Sequence, residues 1–230
     1  MIEVKNVSKR FDDLVVLDNV SFTVREAQLV VILGPSGTGK TVLLKSILGL
    51  QDIDGGDVIF DGVSVQKNKG NHHLYDIRRN IGFVFQGTAL FDSMNVCDNI
   101  ALPLFEHTRL KSTEIKDRVS DILSIIGLPE KGDLYPLSLS GGMKRLVAVG
   151  RALALNPNYL FYDEPTTGLD PIMRDRVVKL IVELKQKYQK SGIVVTHDLE
   201  TAQAVGDEVY MLKKGRIGRL QHIGKEEYNA

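Results

Sequence analysis

Apolar residues recur along this chain in two periods, and the switches between them mark its organisation. Short alternating or wholly apolar runs fill the first ninety residues: Ile2 to Val7, Val15 to Leu17, Val20 to Val24, Leu29 to Leu33 and Val58 to Phe60. Turn formers separate them at Asp12-Asp13, Asp54-Gly55-Gly56 and Asp61-Gly62, so the segment reads as β-rich. Leu29-Val30-Val31-Ile32-Leu33 is apolar at every position, as a strand covered on both faces must be. From Thr41 to Leu50 the spacing changes to helical, through Val42, Leu43, Leu44, Ile47 and Leu48, with Gly49 near the end.

Between Thr88 and Pro157 the helical period dominates. Ile115, Val119, Ile122, Leu123 and Ile126 form one stripe, which predicts a helix over Thr113 to Ile126 with Ser112 or Thr113 as its cap and Gly127 closing it. Met143 to Leu155 is the next helix, opened by Ser140-Gly141-Gly142. Strand and helix then alternate again, and Glu208 to Leu212 and Arg216 to Leu220 read as closing strands. In Gly87 to His107, the apolar Leu90, Phe91, Met94 and Leu104 show no core period, so this stretch reads as a docking loop with a helical insertion beyond it.

Two segments carry phosphate chemistry. Gly34-Pro35-Ser36-Gly37-Thr38-Gly39-Lys40-Thr41 fits G-x-x-x-x-G-K-[ST] and sits between a predicted strand and a predicted helix. Glycines there let N–H groups face a phosphate, Lys40 adds a point charge, and the Thr41 hydroxyl can ligate Mg²⁺. Far along the chain, Ser140-Gly141-Gly142 opens a helix and offers a second set of N–H donors. Two incomplete half-sites in one chain predict a pair of subunits with nucleotide between them.

With these motifs in view the chain resembles the ATP-binding cassette (ABC) ATPases over nearly its whole length. The order matches: Phe11, the phosphate loop, Gln86 after the strand Ile81 to Phe85, Leu139-Ser140-Gly141-Gly142, then Tyr159 to Asp163 with Glu164, Gly168-Leu169-Asp170, and His197 after Ile193 to Thr196. The resemblance implies an α/β P-loop NTPase fold: a RecA-like core, an N-terminal antiparallel β subdomain and a helical insertion. Residues 1–87 and 158–230 would form the core with its β subdomain, and 88–157 the helical part. It implies ATP and Mg²⁺ as ligands. Asp163, Thr41 and Gln86 would hold the metal, Glu164 would polarise the attacking water, and His197 would contact the γ-phosphate. Phe11 would stack on adenine, an interaction worth roughly 1–3 kcal/mol for base–aromatic pairs. Ser140, Gly141 and Gly142 would bind the γ-phosphate held by the other subunit of a homodimer, with Asp170 at the seam.

The segment Phe85 to Val96, then Asp98-Asn99-Ile100 and Pro103 to Thr108, with Met143 after the signature, resembles the Mla/Mce-type phospholipid-transport ATPases. Those subunits work beneath a membrane permease with a lipid-binding MCE-domain protein, on the cytoplasmic face of the inner membrane. The competing expectation is another ABC system, a solute importer or a cell-division complex. A small regulatory subunit, the transported molecule and its direction are left open. At the C-terminus the resemblance departs. The chain ends soon after Tyr228, where some relatives continue into an extension that contacts the partner subunit, and that handle is either absent or outside this sequence.

Composition narrows the rest. The 230 residues include 29 basic and 29 acidic side chains, so no net charge draws the chain to nucleic acid. Cys97 is the one cysteine, which excludes an intramolecular disulfide. No apolar run approaches the roughly 18–20 residues of a bilayer span. The start lacks the pattern of a signal peptide, so the expected site of action is intracellular. A GTPase would need Asn-Lys-x-Asp, which is missing.

Overall fold

The computed structural model describes residues 1–68 and 72–220. Its core is a six-stranded sheet built on the wholly apolar runs. β3 (Leu29–Leu33) is central, paired in parallel with β8 (Ser191–Thr196) on one side and β9 (Glu208–Lys213) on the other. β7 (Tyr159–Asp163) and β6 (Ile81–Val84) continue the parallel order beyond β8, and β10 (Arg216–Arg219) closes the opposite edge antiparallel to β9.

Period-two alternation sends each central strand into two cores. Leu29, Val31 and Leu33 of β3, with Leu160, Tyr162 and Val194, face the cluster packed by helices α3 (Val96–His107), α4 (Ser112–Ile125), α5 (Gly141–Leu153) and α6 (Pro171–Gln186). Val30, Ile32, Tyr159, Phe161, Ile193 and Val195 face the other way, onto α1 (Lys40–Ile47) and a second sheet. That sheet is antiparallel, in the order β2 (Leu14–Val24), β1 (Ile2–Phe11), β4 (Gly55–Phe60), β5 (Val63–Ser64).

The differences from the sequence reading have local causes. Val15 to Leu17 and Val20 to Val24 are one strand, not two. The intervening Asp18 N–H bonds Gly215 O (2.8 Å) and Asn19 N–H bonds Ser8 Oγ (3.0 Å), so an irregularity at Asn19 (φ 53°) passes without ending the strand. β1 likewise runs on to Phe11. Helix α2 (His72–Arg79) was not foreseen, because Leu74 alone among its residues is buried and the pair Leu74 and Ile77 is too short a run to mark a helix. The N-cap of α4 is Lys111, one residue before the expected pair, with Glu114 accepting from Lys111 N–H (2.7 Å). It closes at Gly127, where Leu128 N–H returns to Leu123 O (2.8 Å).

The stretch read as an apolar docking loop is largely α3. Val96, Ile100, Ala101 and Leu104 make a regular buried stripe that Pro103 inside the helix disguises. Leu104, at 2% exposure, is therefore core and not docking surface. Asn95 caps the helix, accepting from Asp98 N–H (2.8 Å). No helix among the described residues is long and apolar enough to cross a membrane.

Candidate nucleotide-binding site

The phosphate loop joins β3 to α1, and Gly39, at φ 99°, turns the chain into the helix. A Cβ there would also lie 2.7 Å from Val16 of β2, so the antiparallel sheet presses on the loop's end. Lys40 is buried and folds back: its Nζ donates to Gly34 O (2.7 Å) and Pro35 O (3.0 Å) and lies 3.3 Å from Glu164 Oε1. Thr38 Oγ1 donates to Pro35 O (2.9 Å). One residue after Lys40, Thr41 Oγ1 reaches both carboxylate oxygens of Asp163 at 3.1 and 3.2 Å. Burial pushes the Asp163 carboxyl above its usual range, while the Thr41 hydrogen bond and the cations Lys40 and Lys45 pull it back.

Glu164 follows the end of β7 with a left-handed φ of 49°, held by its N–H bond to Val195 O (2.9 Å). That conformation is unfavourable for a side chain with a Cβ and persists only where the surroundings enforce it. It turns the carboxylate toward several donors at once. Thr167 Oγ1 donates to Glu164 Oε2 (2.9 Å), and His197 Nδ1, just past the end of β8, lies 2.8 Å from the same oxygen. A carboxylate only accepts, so in this arrangement Nδ1 carries the proton. Thr196 Oγ1 completes the set at 3.4 Å.

Phe11, Ser36, Gly37, Gly39, Lys40, Thr41, Gln86, Glu164 and His197 line one cleft of about 420 Å³, joined by Val16, Val42 and Thr167. Gly34, Pro35 and Thr38 form the back of the loop, and Asp163 stands behind Thr41. An ammonium, a hydroxyl, a carboxylate pair, an imidazole and an exposed aromatic edge together suit a nucleoside polyphosphate. The oxygen donors of Thr41, Asp163 and Gln86 suit Mg²⁺. Among the described residues no group of three His, Cys, Asp or Glu lies close enough together to form a cage.

Ser140, Gly141, Gly142 and Asp170 are not in that cleft. Ser140 caps α5, its Oγ accepting from Met143 N–H (3.2 Å), and Asp170 caps α6 through Met173 N–H (3.0 Å). A Cβ on Gly142 would meet Met173 at 2.5 Å, so the two helix starts lie side by side on a separate face. The sequence reading missed Val16, Thr167 and Thr196, which reach the cleft only through folding. It also missed Arg145 and Arg151, whose guanidinium groups bond the backbone on either side of Gln86.

The profile of the ABC transporter family matches residues 17–167. The intermembrane phospholipid transport system ATP-binding protein MlaF of Haemophilus influenzae is 38% identical over 94% of the chain and 82% of its own length. The probable ribonucleotide transport ATP-binding protein mkl of Mycobacterium tuberculosis is 39% identical over 92% of the chain, but the match spans only 58% of that relative. The spermidine/putrescine import ATP-binding protein PotA of Thermotoga maritima is 41% identical over 94% of the chain and 57% of the relative. The ATP-binding cassette MJ0796, solved as a dimer in a post-hydrolysis state with ADP and phosphate, superposes with a TM-score of 0.85 at 33% identity, covering 96% of this chain and all of that one. The chain therefore belongs to the ABC transporter ATPase family and is an ATP-binding, ATP-hydrolysing subunit.

Proposed function

We propose that this subunit powers a membrane complex that moves phospholipid or a similarly hydrophobic molecule, working as a homodimer beneath a permease that acts with an MCE-domain protein. Residues 1–87 and 158–230 serve as the nucleotide-binding core with its β subdomain, and 88–157 as the helical subdomain. Thr41, Asp163 and Gln86 would hold Mg²⁺, whose charge would offset that developing on the phosphates. Lys40 exchanges its loop carbonyls for the β- and γ-phosphates, and Phe11 stacks on the base. Glu164, oriented by Thr167 and His197, takes the proton of the attacking water. Ser140, Gly141 and Gly142 of the second copy complete the phosphate shell beside Asp170. The chain itself stays peripheral, on the cytoplasmic side of its permease.

The observation that carries the membrane reading is a groove of about 610 Å³ beside the Gln86 turn. Phe83, Phe85, Phe91, Leu102 and Pro103 line it together with the charged Arg78, Arg79, Arg151 and Glu106. Phe91 is 49% exposed there. A groove lined by both apolar and charged side chains suits a short amphipathic helix. Phospholipid is favoured over other cargo by the match to MlaF, which spans most of both chains. Phe91→Asp combined with Leu102→Asp should abolish co-purification with the permease while ATP binding persists. Deleting the protein should disturb lipid distribution between membranes. Impaired polyamine uptake with normal lipids would instead favour the solute-importer reading, which the similarity to PotA keeps in play.

A further inference from the structure

The turn that carries Gln86 is gripped from outside its own segment. Thr88 N–H closes onto Phe85 O (3.0 Å) around Gln86 and Gly87, and Ala89 N–H returns to Gly87 O (2.7 Å). Thr88 and Ala89 then take φ values of 59° and 52°. Two successive left-handed residues with side chains need outside support. It comes from α5. Arg145 Nη1 donates to Phe85 O (2.7 Å), while Arg151 donates through Nη1 to Ala89 O (2.7 Å) and through Nη2 to Thr88 O (3.0 Å). The helix itself lies tight on the preceding strand, since a Cβ on Gly82 of β6 would be 2.4 Å from Ala152 O. Arg145 is only 4% exposed, an expensive place for a cation.

We infer that Arg145 and Arg151 are positioning residues for Gln86, and that α5 carries the Ser140–Gly142 end and the Gln86 turn as one piece. A planar guanidinium spans two carbonyls at fixed spacing, which a lysine cannot do. Arg151, Phe85 and Ala89 also line the apolar groove, so displacement there reaches Gln86 and the signature end together. This inference rests on the cation-binding role proposed for Gln86.

The test is a double-mutant cycle on steady-state ATP hydrolysis by the full chain, with thermal melts to count folded protein. Arg151→Ala should lower kcat about tenfold and raise the Mg²⁺ concentration for half-maximal activity, with KM for ATP within about twofold. Gln86→Ala should do the same, and the double variant should be no worse than the worse single one. Arg151→Lys should recover only part of the lost rate. Multiplying effects, or wild-type kcat in folded Arg151→Ala, would overturn the clamp while leaving an impaired Gln86→Ala as support for Gln86 itself. A silent Gln86→Ala would sink the role of Gln86 and this inference with it. Should Arg151→Ala not fold, Arg145→Lys runs the same cycle from the other end of the turn, with the same outcomes deciding.

Discussion

Lys40 and Ser140 both stand at helix starts aimed by their motifs at phosphate, yet their surroundings differ in kind. Around Lys40 the chain supplies its own partners: loop carbonyls, the Glu164 carboxylate, and through it Thr167 and His197. Around Ser140 there is a cap bond and an exposed face. Leu137, just before it, is 82% exposed, and Ile172, just after Asp170, is 80% exposed. These are apolar side chains that the proposed homodimer would cover. The contrast has a physical basis. A carboxylate, an imidazole and an ammonium can each swing away, so they need a hydrogen-bonded network that holds them before ligand arrives. Backbone N–H donors of a 13-residue helix are already aimed by the helix itself, and they can be delivered whole from a second copy.

The largest test breaks the network half. Glu164→Gln keeps size and hydrogen bonding but loses the basic oxygen, so kcat should fall about 10³-fold while ATP binding survives and holds two chains together. Wild-type turnover in that variant would remove Glu164 from the chemistry.

Next comes the exposed half. Ser140→Arg should cost about 10²-fold in turnover, the scale for losing preorganised donors to a developing anion, with ATP binding by a single chain unchanged. Mixing it with Lys40→Ala sharpens the contrast. In a mixed dimer one composite site carries both lesions and the other carries neither. Activity above either variant alone would support the shared site; activity from isolated chains would dismantle the comparison. Lys40→Ala by itself should fail earlier, weakening ATP binding about 10–100-fold by calorimetry, as expected for losing a charged hydrogen bond.

Legibility followed the same division. The phosphate loop and Asp163-Glu164 were readable because their chemistry is packed into adjacent residues, and β3, β7 and β8 because burial on both faces leaves unbroken apolar runs. Ser140-Gly141-Gly142 was readable as a helix start, although sequence says nothing of which cleft it serves. α2 was invisible because its one buried residue, Leu74, makes no period, and α3 was masked by Pro103. Thr167, Arg145 and Arg151 were unreadable for a different reason. Each acts through space on a residue named by a motif, and an arginine on a helix face looks the same in sequence whether it meets water or a carbonyl.

The smallest effect concerns how the network half tolerates its own charge. Burial lifts the Asp163 pKa above the ordinary 3.8, so the folded chain holds that proton more tightly than the unfolded one. A carboxyl shifted this way costs stability once ionised. Its penalty is fully present above the folded value, shrinks as pH falls through it, and is gone below the unfolded value. Asparagine keeps an acceptor for the Thr41 hydroxyl and carries no charge at any pH. Asp163→Asn should therefore melt higher than wild type without nucleotide at neutral pH, by ~2–4 °C for each kcal/mol recovered in a domain of this size. The gain should narrow as pH falls through the raised folded value toward the ordinary carboxylate range, while Mg²⁺-dependent hydrolysis is lost throughout. A lower melting temperature at neutral pH would mean that Lys40, Lys45 and Arg145 hold the carboxylate more strongly than burial penalises it. In that case the cleft would be assembled by its charges, in spite of their burial, and the contrast with the signature face, whose donors are backbone N–H groups, would be deeper still.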